Sequence, residues 1–203
     1  MVITTTNAGN LQQISDFSPD VKQISFSPNA DLVAIATQVG DADYEVVILD
    51  VLTGQPVGFI NGRMDFFEDL VWSPDQQRIA VISERVTGGG TEEYNVKVYT
   101  LAQAANPAWY IMGNSDLWIT DYIEPDLTQP SELPRHRVHL TWNPDSTMIA
   151  IAFFDRLSVY DIVGESELVS ISIPALELVA WASNGEYIVT QSKTSGVRLW
   201  GIL

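Results

Sequence analysis

Leu70-Val71-Trp72-Ser73-Pro74-Asp75 has three further copies in the chain: Ile24-Ser25-Phe26-Ser27-Pro28-Asn29, Leu140-Thr141-Trp142-Asn143-Pro144-Asp145 and Val179-Ala180-Trp181-Ala182-Ser183-Asn184. The aromatic holds one register in all of them. Seven residues after it, Val33, Ile79, Ile149 and Ile188 open a short apolar run. A third element follows in each copy: Val46 to Asp50, Val96 to Thr100, Leu157 to Asp161 and Val197 to Gly201. A unit this short cannot bury its own apolar surface, so a chain built from it must stack its copies in a row or around an axis.

The unit reads as strand throughout. Apolar residues alternate in the first element (Ile24/Phe26, Leu70/Trp72, Leu140/Trp142), the period of a strand with two unlike faces. The second element is nearly continuous Val, Ile and Ala, as expected of a strand covered on both faces. Ser-Pro-Asp and its variants suit a tight hairpin turn between the two, because Pro presets the backbone and Ser or Asp bonds nearby backbone groups. The fold class is therefore all-β.

On Phe26-Ser27-Pro28, Trp72-Ser73-Pro74-Asp75, Trp142-Asn143-Pro144-Asp145 and Trp181, with the third-strand ends Leu49-Asp50, Tyr160-Asp161 and Leu199-Trp200, the chain resembles bacterial WD-repeat and WD-like β-propellers of the TolB type. The resemblance covers nearly the whole chain. It implies four four-stranded antiparallel blades and a framework that carries protein-interaction loops. The Gly-His pair of orthodox WD repeats is absent, and the closing Trp-Asp is nowhere complete.

Under this resemblance the 203 residues form a single propeller domain: 17–60 as blade 1, 61–112 as blade 2, 138–174 as blade 3 and 175–203 as blade 4. Successive Ser27 and Ser73 are 46 positions apart, and Asn143 and Ala182 are 39 apart, but Ser73 and Asn143 are 70 apart. Residues 113–137 are read as an insertion that takes up part of this surplus, with Trp109 to Met112 as the fourth strand of blade 2. The last copy stops after three strands, and 1–16, with Leu11 to Ile14, is expected to supply the missing one. Ring closure removes sheet edges that invite aggregation. It is met by a four-bladed monomer, by completion with another protein, or by two chains in an eight-bladed homodimer, the arrangement favoured by the small, Ala-rich second strands. Phe26, Trp72, Trp142 and Trp181 are expected to be buried between blades, and Ala34, Ala80 and Ala150 to mark close sheet approach.

Charge narrows the partners. Asp and Glu number 26 against 10 Lys and Arg, a net of -16 that repels phosphate backbones and anionic membranes, so neither nucleic acid nor membrane is expected to bind directly. There is no cysteine, hence no disulfide and no thiolate metal site. Met1 to Thr6 has neither the basic start nor the apolar centre of a secretion signal, and a cytoplasmic location is expected.

Chemistry-bearing residues form no catalytic set. Asp41 and Asp43 lack the six to eight oxygens of a calcium loop. Gly88-Gly89-Gly90 lacks the Lys and helix of a phosphate cradle, and His136 and His139 lack a third zinc ligand. Lys193-Thr194-Ser195-Gly196 has no Ser-Xaa-Xaa-Lys companion. No enzyme activity, cofactor or metal is expected. The candidate partner-binding residues are Trp118, Tyr122, Asp121 and Glu124, aromatics among acids that suit a basic or amphipathic protein partner; the other reading of Trp118 and Tyr122 is that they pin the loop to the ring. Two further classes remain open: a small-ligand or carbohydrate binder in the central channel, with Lys22, Glu68, Arg137 and Glu177 near strand starts, and a channel-sited enzyme.

Overall fold

A computed structural model of the chain describes residues 20–41, 43–62, 66–86, 92–103, 110–112, 117–123 and 138–201. The first sheet is β1 (Val21–Phe26), β2 (Leu32–Val39), β3 (Asp43–Asp50) and β4 (Pro56–Gly62), antiparallel and in chain order. The second contains β5 (Phe66–Trp72), β6 (Arg78–Val86), β7 (Glu92–Gln103), β8 (Tyr110–Met112) and β9 (Leu117–Ile123). The third is β10 (His139–Trp142), β11 (Met148–Phe153), β12 (Arg156–Asp161) and β13 (Ser166–Ser172). The fourth has three strands, β14 (Leu176–Trp181), β15 (Tyr187–Ser192) and β16 (Gly196–Gly201). Among the described residues there is no helix, so the chain is all-β as its alternation predicts.

The turn after each aromatic explains why the motif repeats. Pro28, Pro74 and Pro144 occupy the second position of a turn closed by Ala30 N to Ser27 O, Gln76 N to Ser73 O and Ser146 N to Asn143 O, at 2.8, 2.9 and 3.0 Å. The residue between aromatic and proline then locks the hairpin. Ser27 Oγ accepts from Leu32 N at 3.0 Å, and Ser73 Oγ accepts from Arg78 N at 2.9 Å. Asn143 Oδ1 does the same for Thr147 N and Met148 N. Ala30, Gln76 and Ser146 take positive φ at the next step; the fourth copy, with Ala182 in the locking position, has Gly185 there. Only that copy avoids the steric cost of a left-handed side-chain-bearing residue.

Three cores join the sheets in sequence. Ala34, Ala36, Val46 and Ile48 of the first sheet meet Leu70, Trp72, Ile79 and Val81 of the second. The second sheet's other face, with Ala80, Ile82, Val96 and Val98, meets Leu140, Trp142, Ile149 and Ile151. Ala150, Ala152, Leu157 and Val159 then meet Leu176, Val179, Trp181 and Ile188. The second strands of the two interior sheets, β6 and β11, therefore bury both faces, which is why their centres are unbroken Val, Ile and Ala. The small Ala34, Ala80 and Ala150 lie in the core as expected.

Polar ties repeat across these cores. Trp72 Nε1 donates to the Ser25 carbonyl at 3.1 Å, and Trp142 Nε1 donates to the Val71 carbonyl at 3.2 Å. Both acceptors are the residue before the preceding sheet's aromatic. Each tryptophan therefore fills the gap between sheets and fixes how far one slides on the next. Gln23 Nε2 adds bonds to Asp69 Oδ1 and Leu70 O, and the turn ends are tied by Asp75 N to Ser146 Oγ at 2.9 Å.

Several expectations change. Trp72 and Trp142 are buried, but Phe26 is 57 % exposed and Trp181 is half-buried. A first-strand aromatic packs on the sheet that precedes it, and among the described residues no sheet precedes Phe26. Trp181 Nε1 turns to Gly185 O in its own hairpin, at 3.1 Å. The fourth strand beside β7 is β9, from inside the interval read as an insertion, with Val98 opposite Leu117 through Glu92 opposite Ile123. Tyr110–Met112 instead pairs with Leu101–Gln103, the part of β7 that runs on past β6. The link between third and fourth strands, a short turn in the first sheet, is here enlarged into a two-stranded arm that lies against β4. The suggested closing strand Leu11 to Ile14 is outside the described residues.

Two substitutions test this packing. Trp142→Phe keeps an aromatic side chain but loses the tie to Val71 and part of the buried volume and is expected to cost about 1–3 kcal/mol, whereas Trp142→Ala is expected to cost about 3–5 kcal/mol; urea unfolding reads both. A Cβ on Gly62 would fall on the ring of its cross-strand partner Tyr44, which is buried edge-on to Phe67. Gly62→Ala is therefore expected to lose about 1–3 kcal/mol by overpacking, and an unchanged midpoint would contradict the contact.

Candidate functional site

Among the described residues the first strand of each sheet has one unpaired edge, and these strands converge: β1 lies against β5, and β10 against β14. This inner edge is where the fold brings residues from different repeats together. Three of the four first strands carry one extra residue relative to their partner. Lys22 falls between the pairs Val21–Thr37 and Gln23–Ala36, and Glu68 between Phe67–Ser83 and Asp69–Ile82. Glu177 falls between Leu176–Ser192 and Leu178–Gln191. Each lies four residues before the repeat aromatic, so the bulge belongs to the repeat. Bulges re-aim side chains and are frequent beside functional sites.

The bulge residues are one cation and two anions. In the third copy the same position holds Val138, which is buried in the core. Arg137, read from sequence as the third member, is outside the described residues. Glu177 pairs with Lys193 Nζ at 2.9 Å across to the β15–β16 hairpin. That hairpin is held by Ser192 Oγ and Thr194 Oγ1, which both donate to Pro174 O, at 2.7 and 2.9 Å. The hydroxyls near Lys193 thus serve the turn. Among the described residues the inner edge is a strip of both signs, with no repeating set of one chemistry.

Asp41 and Asp43 are exposed at the β2–β3 turn. His139 opens β10, opposite Ala152, while His136 and the Gly88–Gly90 run lie outside the described residues. Among the described residues no group of three or more His, Asp or Glu is placed to hold a metal ion.

Of the candidate partner-binding residues, Trp118, Asp121 and Tyr122 lie on β9, opposite Lys97, Tyr94 and Glu93. Glu124 is outside the described residues. The three are carried by a strand on the far edge of the second sheet from β5, and neighbouring Ile119 is buried against the third sheet. Sequence reasoning took this segment for a loop because the repeat spacing breaks there. The signal it passed over was the apolar pair Leu117 and Ile119, two residues apart.

The aspartates that end the third strands have a structural use. Asp50 Oδ1 accepts from Thr53 Oγ1 at 2.8 Å and from Thr53 N at 2.7 Å, and Asp161 Oδ1 accepts from Val163 N at 2.9 Å. Each closes the turn to the fourth strand. The Thr53 hydroxyl, then its backbone N–H, hold the Asp50 carboxyl below the usual carboxylate range. Tyr160 moves the other way, raised first by burial and then by the Glu167 charge.

No protein-family model matches the chain, and no curated protein is similar to it. Solved structures are. The β-propeller domain of Cps50 (Swd1) from Myceliophteria thermophila superposes with a TM-score of 0.63 at 11% identity, over 90% of this chain and 54% of that one. Hydrazine synthase of Kuenenia stuttgartiensis superposes with a TM-score of 0.60 at 13% identity, over 88% of this chain and 58% of that one. The chain thus has the β-propeller fold and spans little more than half the length of these two chains.

Because the folded pKa of Asp50 is depressed, its contribution is present above the ordinary aspartate pKa and fades as pH falls through the lowered value. Thr53→Val is expected to move the Asp50 titration upward in an NMR pH series. An unmoved midpoint would mean that the Thr53 hydroxyl is not its main partner.

Proposed function

We propose that the chain is a non-enzymatic interaction scaffold of the cytoplasm, which presents an edge strand and loops on a rigid propeller frame to a protein partner. The observation that carries this reading is β9. It puts Trp118, Asp121 and Tyr122 on the outer edge of a sheet whose inner strands are locked in two cores. Aromatics supply contact area with few rotors to immobilise, and an edge strand offers backbone groups to an added strand. The net charge of -16 favours a basic or amphipathic segment as partner and disfavours nucleic acid and anionic membrane.

A partner recovered by pull-down from cell lysate allows a quantitative test. Trp118→Ala and Tyr122→Ala are each expected to weaken its binding by more than about 1 kcal/mol, or roughly fivefold, with little change in melting temperature. A double variant that melts well below the parent yet binds normally would make these aromatics core and overturn the proposal.

The bulged charges favour one second reading, a small polar ligand such as a carbohydrate at the inner edge; a channel-sited enzyme would use the same place. A thermal-shift screen with sugars, nucleotides and metals separates them from the scaffold. A melting-temperature rise with one compound, lost in Glu68→Gln or Glu177→Gln, supports a ligand site.

A further inference from the structure

The two end sheets each leave apolar side chains exposed on a face that the interior sheets bury, although Ile35 and Leu49 on that face of the first sheet are themselves buried. On the first sheet, Ile24 and Phe26 are 59 % and 57 % exposed, and Phe59 is also exposed. On the fourth, Val197 and Leu199 are 70 % and 66 % exposed, joined by Leu178. Cross-strand pairing puts each trio on one side of its sheet: Ile24 opposite Ile35, which is opposite Val47, which is opposite Phe59; and Leu178 opposite Gln191, which is opposite Val197.

These faces are the two halves of the junction that the chain makes three times internally. Ile24 and Phe26 hold the register of Leu70 and Trp72, and of Leu140 and Trp142, all buried against the sheet before. Val197 and Leu199 hold the register of Val96 and Val98, and of Leu157 and Val159, all buried against the sheet after. The fourth sheet thus presents the surface that accepts a following sheet, and the first presents the surface that follows one. Within one chain they do not meet, since both stay exposed. The four sheets superpose on about half of a longer propeller chain, 54% of the Swd1 domain, the share expected of half a ring.

We infer that the occupant of each open face is a second copy of this chain. The fourth sheet of one copy packs on the first sheet of the other, and the two-fold axis repeats the junction, closing a ring of eight sheets. Head-to-tail contacts close when the rotation per unit fits the circle, and eight lies within the range of propeller rings. Phe26 then regains the burial that its register predicts. None of the six residues named on these faces is charged, so the junction itself adds no repulsion to the net charge of -16 per chain.

Light scattering after size exclusion tests this, and does so independently of the partner surface on β9. The whole chain is expected at twice its 22.5 kDa mass. Leu199→Asp and Phe26→Asp, each at an exposed position of the single chain, are both expected to elute at the single-chain mass with unchanged far-UV circular dichroism. Mixing the two variants leaves one junction with both faces intact, so the mixture is expected to recover a heterodimer weaker than the parent dimer. A parent chain that runs as a monomer at tens of micromolar overturns the inference. So does a dimer broken by only one of the two substitutions, because that means like faces meet.

Discussion

A sheet with two apolar faces needs a neighbour on each side, and this requirement shapes the whole chain. β6 and β11 satisfy it: Ile79 to Ile82 and Ile149 to Phe153 are buried completely, half facing one sheet and half the next. On β11 the small Ala150 and Ala152 face the fourth sheet while Ile149 and Ile151 face the second, and on β6 Ala80 lets the third sheet approach while Ile79 and Val81 fill the space toward the first. Burying one such isoleucine is favourable by about 1.5–3 kcal/mol. None of the sheets reaches that burial alone, so each repeat's stability belongs to its junctions, as in other repeat architectures.

Apolar packing holds sheets together without specifying their stagger. The tryptophan bonds to Ser25 O and Val71 O supply that direction, as does the tie from Asp75 N to Ser146 Oγ. The turn that follows is part of the same device, since Ser73 and Asn143 lock the hairpin whose first strand ends in the tryptophan. Sequence freedom is left to the connections, where the enlarged β7–β8 arm and the edge strand β9 depart from the repeat. A rigid frame with free edges is the physical basis for reading the chain as a scaffold.

Much of this was legible from residues alone. Alternation in Leu70/Trp72 and Leu140/Trp142 fixed strands and faces, and the alanines at 34, 80 and 150 marked the close junctions. The repeat register was misleading at Phe26 because it records which face a residue occupies and not whether a neighbour covers that face. Spacing was misleading at Leu117–Ile123 because an arm inside the third-to-fourth link pushed a regular strand out of step. The inner-edge bulges were visible only as charged residues near strand starts. Recognising Lys22, Glu68 and Glu177 as one position required counting back from the aromatic, and the same count replaces Arg137 with Val138. Their pairing with elements far away in sequence, as in Glu177 with Lys193, depends on turns that composition does not dictate.

The central claim is that stability concentrates in second strands packed on both faces. Native-state hydrogen exchange measures it strand by strand, because opening free energies run from near zero at frayed segments to the global value in the core. The account predicts that amides of Ile79 to Ile82 and Ile149 to Ala152 exchange slowest, at close to the global unfolding free energy, and that those of the Ser27–Asp31 and Ala182–Glu186 turns exchange fast. Second-strand amides exchanging as quickly as those turns would contradict it.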